Sequence, residues 1–208
     1  VALVKIKGKG WNFINEQGEL LWKEDKWFDN AKYFQNGITR VKIEGKGWNF
    51  IDTNGEYLWK EDKWFDDTGW KFYEGFASVK LEGKGWNFIK TNGELLWKEY
   101  KCFDKISDFC NGFAIVEIEG KGCNFINTQG ELVWKGDKWF DYDVVSFFYE
   151  EFAAVKIVGK WNLINTKGEL LWKEDKWFDD VKPFINGYVI VYKEGQGWNY
   201  INANGEYL

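Results

Sequence analysis

Histidine is missing from all 208 residues. Its absence removes Ser-His-Asp and Cys-His constellations, histidine-ligated zinc and the commonest general base near neutral pH. Proline occurs once, at Pro183, and helical periodicity is essentially absent. No apolar run approaches the roughly 18 residues of a membrane-crossing helix. Lys and Glu alternate, without the basic stripe that nucleic-acid binders carry, and the net charge of −5 disfavours anionic membranes. Neither nucleic acid nor membrane insertion is therefore expected. No Gly-x-x-x-x-Gly-Lys-[Ser/Thr] loop occurs, and the Gly-Lys-Gly turns link strands instead of opening a helix, which leaves no phosphate cradle. Neither a cofactor nor a metal site is expected.

What the chain has in excess is aromatic residues, at 21%, with 15 Trp and 18 Phe. That is too rich for a disordered chain and suits pleated β faces. The segment Gly-Lys-Gly-Trp-Asn-Phe-Ile-Asn at 8–15 returns along the whole sequence, its Trp position falling at Trp11, Trp48, Trp86, Cys123, Trp161 and Trp198. The spacing of 37 or 38 residues marks a tandem array of one supersecondary unit. With no linker or low-complexity boundary, residues 1–208 read as a single repeat domain of six units, the first and last incomplete. The chain starts in a first strand without an initial Met and stops inside a third. The expectation is either a piece of a longer array or ends that meet to close a ring, and a removed signal peptide is compatible with both.

Residues 76–112 serve as the model unit. Phe76–Leu81 alternates as a strand. Glu82-Gly83-Lys84-Gly85 reads as a three-residue hairpin loop with a bulge glycine, and the fifth copy, one residue shorter, suits a two-residue loop with Gly159 in its first central position. Trp86–Ile89 is a second strand. Gly93 recurs after residues as different as Gln17 and Lys167, which resist positive φ, so a type I turn followed by a left-handed glycine is expected. Glu94–Lys98 is a third strand, and Trp-Phe-Asp (27–29, 64–66) is a short fourth strand or an ordered loop. Phe88 and Ile89 face opposite ways, as do Leu95 and Leu96, so both faces of each sheet are apolar and must be covered. Stacked units do this as blades of a β-propeller of about six blades or as an open β-solenoid. The fold class is all-β, an array of small antiparallel three- to four-stranded sheets.

Gly75-Phe76-Ala77-Ser78-Val79, Gly85-Trp86-Asn87-Phe88-Ile89, Gly93 and Cys102-Phe103-Asp104 together resemble the unit of the bacterial WG-repeat (KWG-repeat) family over the whole chain. Asn, where that family has Gly, follows the Trp position in every copy. The hairpin Ile89–Trp97 is also similar to the Trp-bearing hairpin of PQQ-type propeller blades, which favours the propeller without implying the quinone. The resemblance to WG repeats implies a binding scaffold.

The cysteines, Cys102, Cys110 and Cys123, are odd in number and lack Cys-x-x-Cys spacing. Cys102 takes the place of Trp27, Trp64, Trp139 and Trp177, and free thiols filling a smaller volume are expected, with a redox pair as the alternative. Free thiols lean toward a reducing, cytoplasmic compartment, a secreted form being compatible. Asp29, Asp66, Asp104, Asp141 and Asp179 could form a ring of calcium ligands or a glycosidase pair. Because they recur in every copy, a structural role accepting backbone N–H bonds is favoured. The Asn set from Asn12 to Asn199 is read likewise, as a ladder of buried amides between units. Specificity then lies where copies differ, in the stretches after Trp-Phe-Asp, which should emerge on one rim. Trp70, Tyr142 and Phe147 are the expected anchors for a partner. The function expected is a non-catalytic scaffold binding a protein partner. Carbohydrate or cell-surface ligand binding is the alternative, and an enzyme is not expected.

Overall fold

Alternation and glycine placement produce the expected hairpins. The computed structural model describes residues 1–208 except 24–26, 100–101, 143–145, 173–176, 183 and 185, so Val144 and Pro183 lie outside the described residues. Within those described, all regular structure is antiparallel β. The strands are β1 (Ala2–Ile6), β2 (Gly10–Ile14), β3 (Asn30–Ala31), β4 (Ile38–Ile43), β5 (Gly47–Asp52), β6 (Asp67–Thr68), β7 (Phe76–Leu81) and β8 (Gly85–Lys90). They continue as β9 (Lys105–Ile106), β10 (Phe113–Ile118), β11 (Gly122–Asn127), β12 (Phe152–Ile157), β13 (Lys160–Asn165), β14 (Asp180–Val181), β15 (Tyr188–Lys193) and β16 (Gly197–Asn202). They make two- or three-stranded sheets built on six hairpins, three in each of two compact units, Val1–Cys102 and Phe103–Leu208.

The third strand is shorter than expected. At Glu94–Lys98 it reduces to a bridge between Ile89 and Leu95, with the Leu96 N–H donating to the Phe88 carbonyl at 2.8 Å. The reason is a side chain. Asn87 Nδ2 donates to the Trp97 carbonyl at 2.9 Å, while its Oδ1 accepts the N–H of Trp97 at 3.0 Å and of Phe88 at 2.7 Å. The amide replaces the ladder and stops it. Asn12, Asn49, Asn124 and Asn162 repeat the clamp on Trp22, Trp59, Trp134 and Trp172, all four fully buried. The expected ladder between units is therefore a clamp within each unit.

The Trp-Phe-Asp segment is a strap between successive hairpins. Phe65 exchanges backbone bonds with Trp48, at 2.8 and 3.0 Å, and two residues later β6 pairs with β7. Phe28 and Phe178 do the same between Trp11 and β4 and between Trp161 and β15. The Asp at its end caps the turn of the following hairpin: Asp29, Asp104 and Asp179 accept the N–H of Glu44, Glu119 and Glu194 at 2.6–2.7 Å. The structural reading of this set holds, with the next hairpin's turn as the target.

Hairpins cover one another face to face within each unit. Phe50 and Phe65 pack with Ala77, Val79 and Ile89 of the next copy, and Phe13 and Phe28 with Val41, Ile43 and Ile51. In the second unit Phe125 and Phe140 meet Ala153, Val155 and Ile164, and Leu163 and Phe178 meet Val189, Val191 and Ile201. Burying each such Phe is worth on the order of 2–3 kcal/mol. The strand-opening Trp residues are only half-buried at Trp11, Trp48, Trp86 and Trp161, each with a cross-strand Lys ammonium 4.9–5.9 Å from its ring centroid. Trp198 in the last hairpin is exposed.

Turn chemistry is read correctly at Gly93, with φ of 87° and only the glycine left-handed. The first turn keeps the expected three-residue loop, Glu82-Gly83-Lys84, between the paired Leu81 and Gly85. Gly83 and Gly85 are both left-handed, at 68° and 103°. A glycine is required at the second position because a Cβ on the equivalent Gly47 would sit 2.5 Å from the Phe65 carbonyl oxygen. In the fifth copy the two-residue loop is Val158-Gly159, one position earlier than expected, with φ of 52° and 79°. That is the pattern of a type I′ turn, and it holds an exposed β-branched residue in a left-handed conformation. Lys160 replaces the second glycine, and its ammonium donates to Asp179.

Replacing Val158 by Asn, suited to this turn, should raise stability by about 1 kcal/mol in urea unfolding. Asn87→Leu should lower it by about 2–3 kcal/mol, because it strands the Trp97 N–H and carbonyl. The hydrogen bond from Lys160 holds the Asp179 carboxyl below its ordinary range, and Asp179 in turn raises Lys160. The carboxylate's contribution is complete above its unfolded value of about 3.9 and is lost as pH falls through the lowered folded value. The ammonium's is complete below about 10.4 and is lost as pH rises through the raised one. Lys160→Met should therefore flatten both ends of the stability–pH profile, read as urea midpoints across pH.

Candidate functional site

The variable stretches run beside the first strand of the following hairpin, from its turn end toward its base. Asp141 bonds Lys156 near the turn, and Ser146 bonds Ala154 farther down. Each stretch thus lines its following hairpin from the turn toward the base. The N–H groups of Lys32, Gly69, Ser107 and Ser146 donate to the carbonyls of Arg40, Ser78, Ile115 and Ala154. That register makes Tyr33, Trp70, Asp108 and Phe147 equivalent.

Three of those four are aromatic and exposed, Tyr33 by 75%, Trp70 by 73% and Phe147 by 38%. Trp70 and Phe147 are expected anchors that share a structural position, one in each unit. Tyr33 was not anticipated, and only this register identifies it. Tyr142, 45% exposed, stands at the other end of its stretch. Its hydroxyl donates to the Ile118 carbonyl at 2.9 Å, and it borders a cleft of about 620 Å³ with Trp139, Asp141, Lys121 and Lys156.

Trp70 is the best-supported ring. The Arg40 guanidinium lies 4.4 Å from its centroid and 4.6 Å from that of Trp48, so the cation is layered between two indoles. Arg40 is buried and donates from Nη1 to the Thr68 carbonyl at 3.1 Å. Burial lowers its pKa and the nearby Asp67 carboxylate raises it in part, yet a guanidinium stays charged. Lys32 adds a second cation 5.5 Å from the Trp70 centroid. Arg40 is the chain's only arginine, at a strand position where other copies carry Ser78, Ile115, Ala154 and Ile190. Trp70 is its counterpart one copy later. This matched pair of departures was the signal available in sequence and overlooked.

Cys102 and Cys123 are buried and Cys110 half-buried, all as free thiols. Among the described residues no cluster of His, Cys, Asp or Glu is arranged to hold a metal ion, and no helix is long and apolar enough to cross a membrane.

The family model described as WG containing repeat matches residues 28–46, 103–121 and 140–161. Each match runs from the strap's buried aromatic to the following hairpin or its turn. Over these three segments the chain is similar to that repeat. No curated protein matches it. Among solved structures it is similar to the computationally designed Ika8 protein, with 13% identity, a TM-score of 0.41, and coverage of 92% of this chain and 64% of that one, under two thirds of its length. It is similar to BamB from Moraxella catarrhalis at 10% identity and TM-score 0.38, covering 100% and 86% of the respective chains. The WD40 β-propeller domain of Doa1 follows at 12% and 0.34, covering 97% and 72%. At these scores the likenesses carry no weight in deciding how the hairpins are arranged.

Arg40→Ala should lower stability by about 2 kcal/mol, through the lost stack and the lost packing of its stem. A double-mutant cycle with Trp70→Ala should return a coupling of about 1 kcal/mol, measured by chemical unfolding.

Proposed function

We propose that this repeat scaffold is non-catalytic and binds a protein partner through the aromatic side chains of its variable stretches. Trp70 is the central anchor in the first unit, and Tyr142 and Phe147 serve in the second. The observation that carries this reading is Trp70 itself. An indole 73% exposed is normally free to move, but this one is braced from beneath by a buried guanidinium. Bracing before contact reduces the ordering cost of association, and Trp is enriched among residues that dominate interfaces. The repeated Asn and Asp side chains are engaged in holding turns and straps together, which leaves the non-repeated aromatics to discriminate.

A photo-crosslinking residue at position 33, beside Trp70, should capture a discrete protein from the source cell. Trp70→Ala should abolish the capture, and Tyr142→Ala or Phe147→Ala should weaken it. A glycan array bound by the parent and lost in Trp70→Ala would replace this reading with carbohydrate binding. A panel of chromogenic glycosides should show no turnover.

A further inference from the structure

The stretch that carries Tyr33 and the strand after it, residues 30–42, hold the cations Lys32, Arg40 and Lys42 and no carboxylate. Every equivalent segment carries acid: Asp67 and Glu74 in 67–80, Asp108 and Glu117 in 105–117, Glu150 and Glu151 in 142–156, and Asp180 in 180–192. In a chain of net charge −5 this is a local reversal of sign. It also changes what Lys32 does. Lys182 stands at the same place in the last copy, both backbone N–H groups donating to the following strand, and pairs with Asp180 at 3.2 Å. The first copy has Asn30 in the place of Asp180, and the Lys32 ammonium lies instead 5.5 Å from the Trp70 centroid.

Trp70 is thus the centre of a small positive surface. Tyr33, Gln35, Trp70 and Lys71 line one narrow depression with Arg40. Lys71 is exposed, its ammonium 4.5 Å from the Tyr73 centroid, and among the described residues neither Lys32 nor Lys71 forms a salt bridge. The Arg40 guanidinium donates to a neutral carbonyl and its Nε has no partner, so no contact with an anion cancels its charge. Asp67 acts on it without touching it, its own Oδ1 accepting the Thr68 N–H. A buried charge is screened less than an exposed one. Two unpaired ammoniums beside exposed rings complement a ligand that carries carboxylates next to an apolar side chain, and such complementarity selects partners and speeds encounter. A nucleic acid, with a phosphate at every step, would meet the repulsion of the chain's net negative charge as well.

We propose that the protein partner presents an acidic segment to this surface, with an apolar side chain against Trp70 and Tyr33 and carboxylates at Lys32 and Lys71. This rests on the reading of Trp70 as an anchor and adds the chemistry of what it meets. The full chain is applied to an array of random peptides and single-stranded oligonucleotides. Bound peptides should be enriched in Asp and Glu next to an aromatic or aliphatic residue, and Trp70→Ala should remove them. For the tightest of them, Lys32→Glu combined with Lys71→Glu should cost about tenfold or more in affinity, and added salt should weaken binding. Lys32→Arg with Lys71→Arg should retain it, as should Lys135→Glu with Lys167→Glu, which makes the same change in net charge on exposed residues of the second unit. Trp70-dependent peptides without an acidic bias overturn the inference and leave the anchor reading standing. Trp70-dependent capture of oligonucleotides in place of acidic peptides overturns both. Absence of any Trp70-dependent peptide overturns the inference as well, while crosslinking from position 33 decides the anchor reading by itself.

Discussion

A sheet of two or three strands that carries Phe88 on one face and Ile89 on the other has no side to offer to water. Both residues are essentially inaccessible, and neither could be so in an isolated hairpin. Each hairpin must therefore be covered by its neighbours, and the rest of the architecture serves that need. Straps hold adjacent hairpins in register, Asp side chains fix the turns that the straps meet, and the Asn clamp turns the chain away before a third strand can lengthen.

This need also explains what varies and what does not. A Phe on the covered face is replaced only by Leu163 or, in the last hairpin, Tyr200, because the opposing Val and Ile leave a defined thickness. The strand-opening Trp lies partly outside that layer under a Lys, so Cys123 can stand in its place. Departures that enlarge or add a ring, such as Trp70, fall where the chain leaves the layer.

Much of this was legible in the residues. Alternation located the long strands, and the indifference of the position before Gly93 identified the turn type. The recurrence of Asp104 and its equivalents marked it as structural. Three features were hidden for physical reasons. A strand pattern at Glu94–Lys98 is genuine as a pattern, but Asn87, several residues upstream, captures the backbone groups the ladder needs. Val158 sits in a left-handed turn because the register of β12 and β13 overrides its local preference. The role of Arg40 depends on a ring in the next copy, which periodicity hides by treating each copy alone.

The strap also sets the boundary of the repeat. Residues 65–68 are bonded backward to Trp48 and forward to β7, so the piece that recurs in sequence and the piece that stands mechanically are out of phase by part of a unit. A duplication or deletion cut at the Gly-Lys-Gly boundary would keep both partners of the strap and would instead bring strands of different copies together across a hairpin turn. Copy number can then drift while each junction is rebuilt from the same bonds, and only residues such as Arg40 and Trp70, which need one particular neighbour, register that the order has changed.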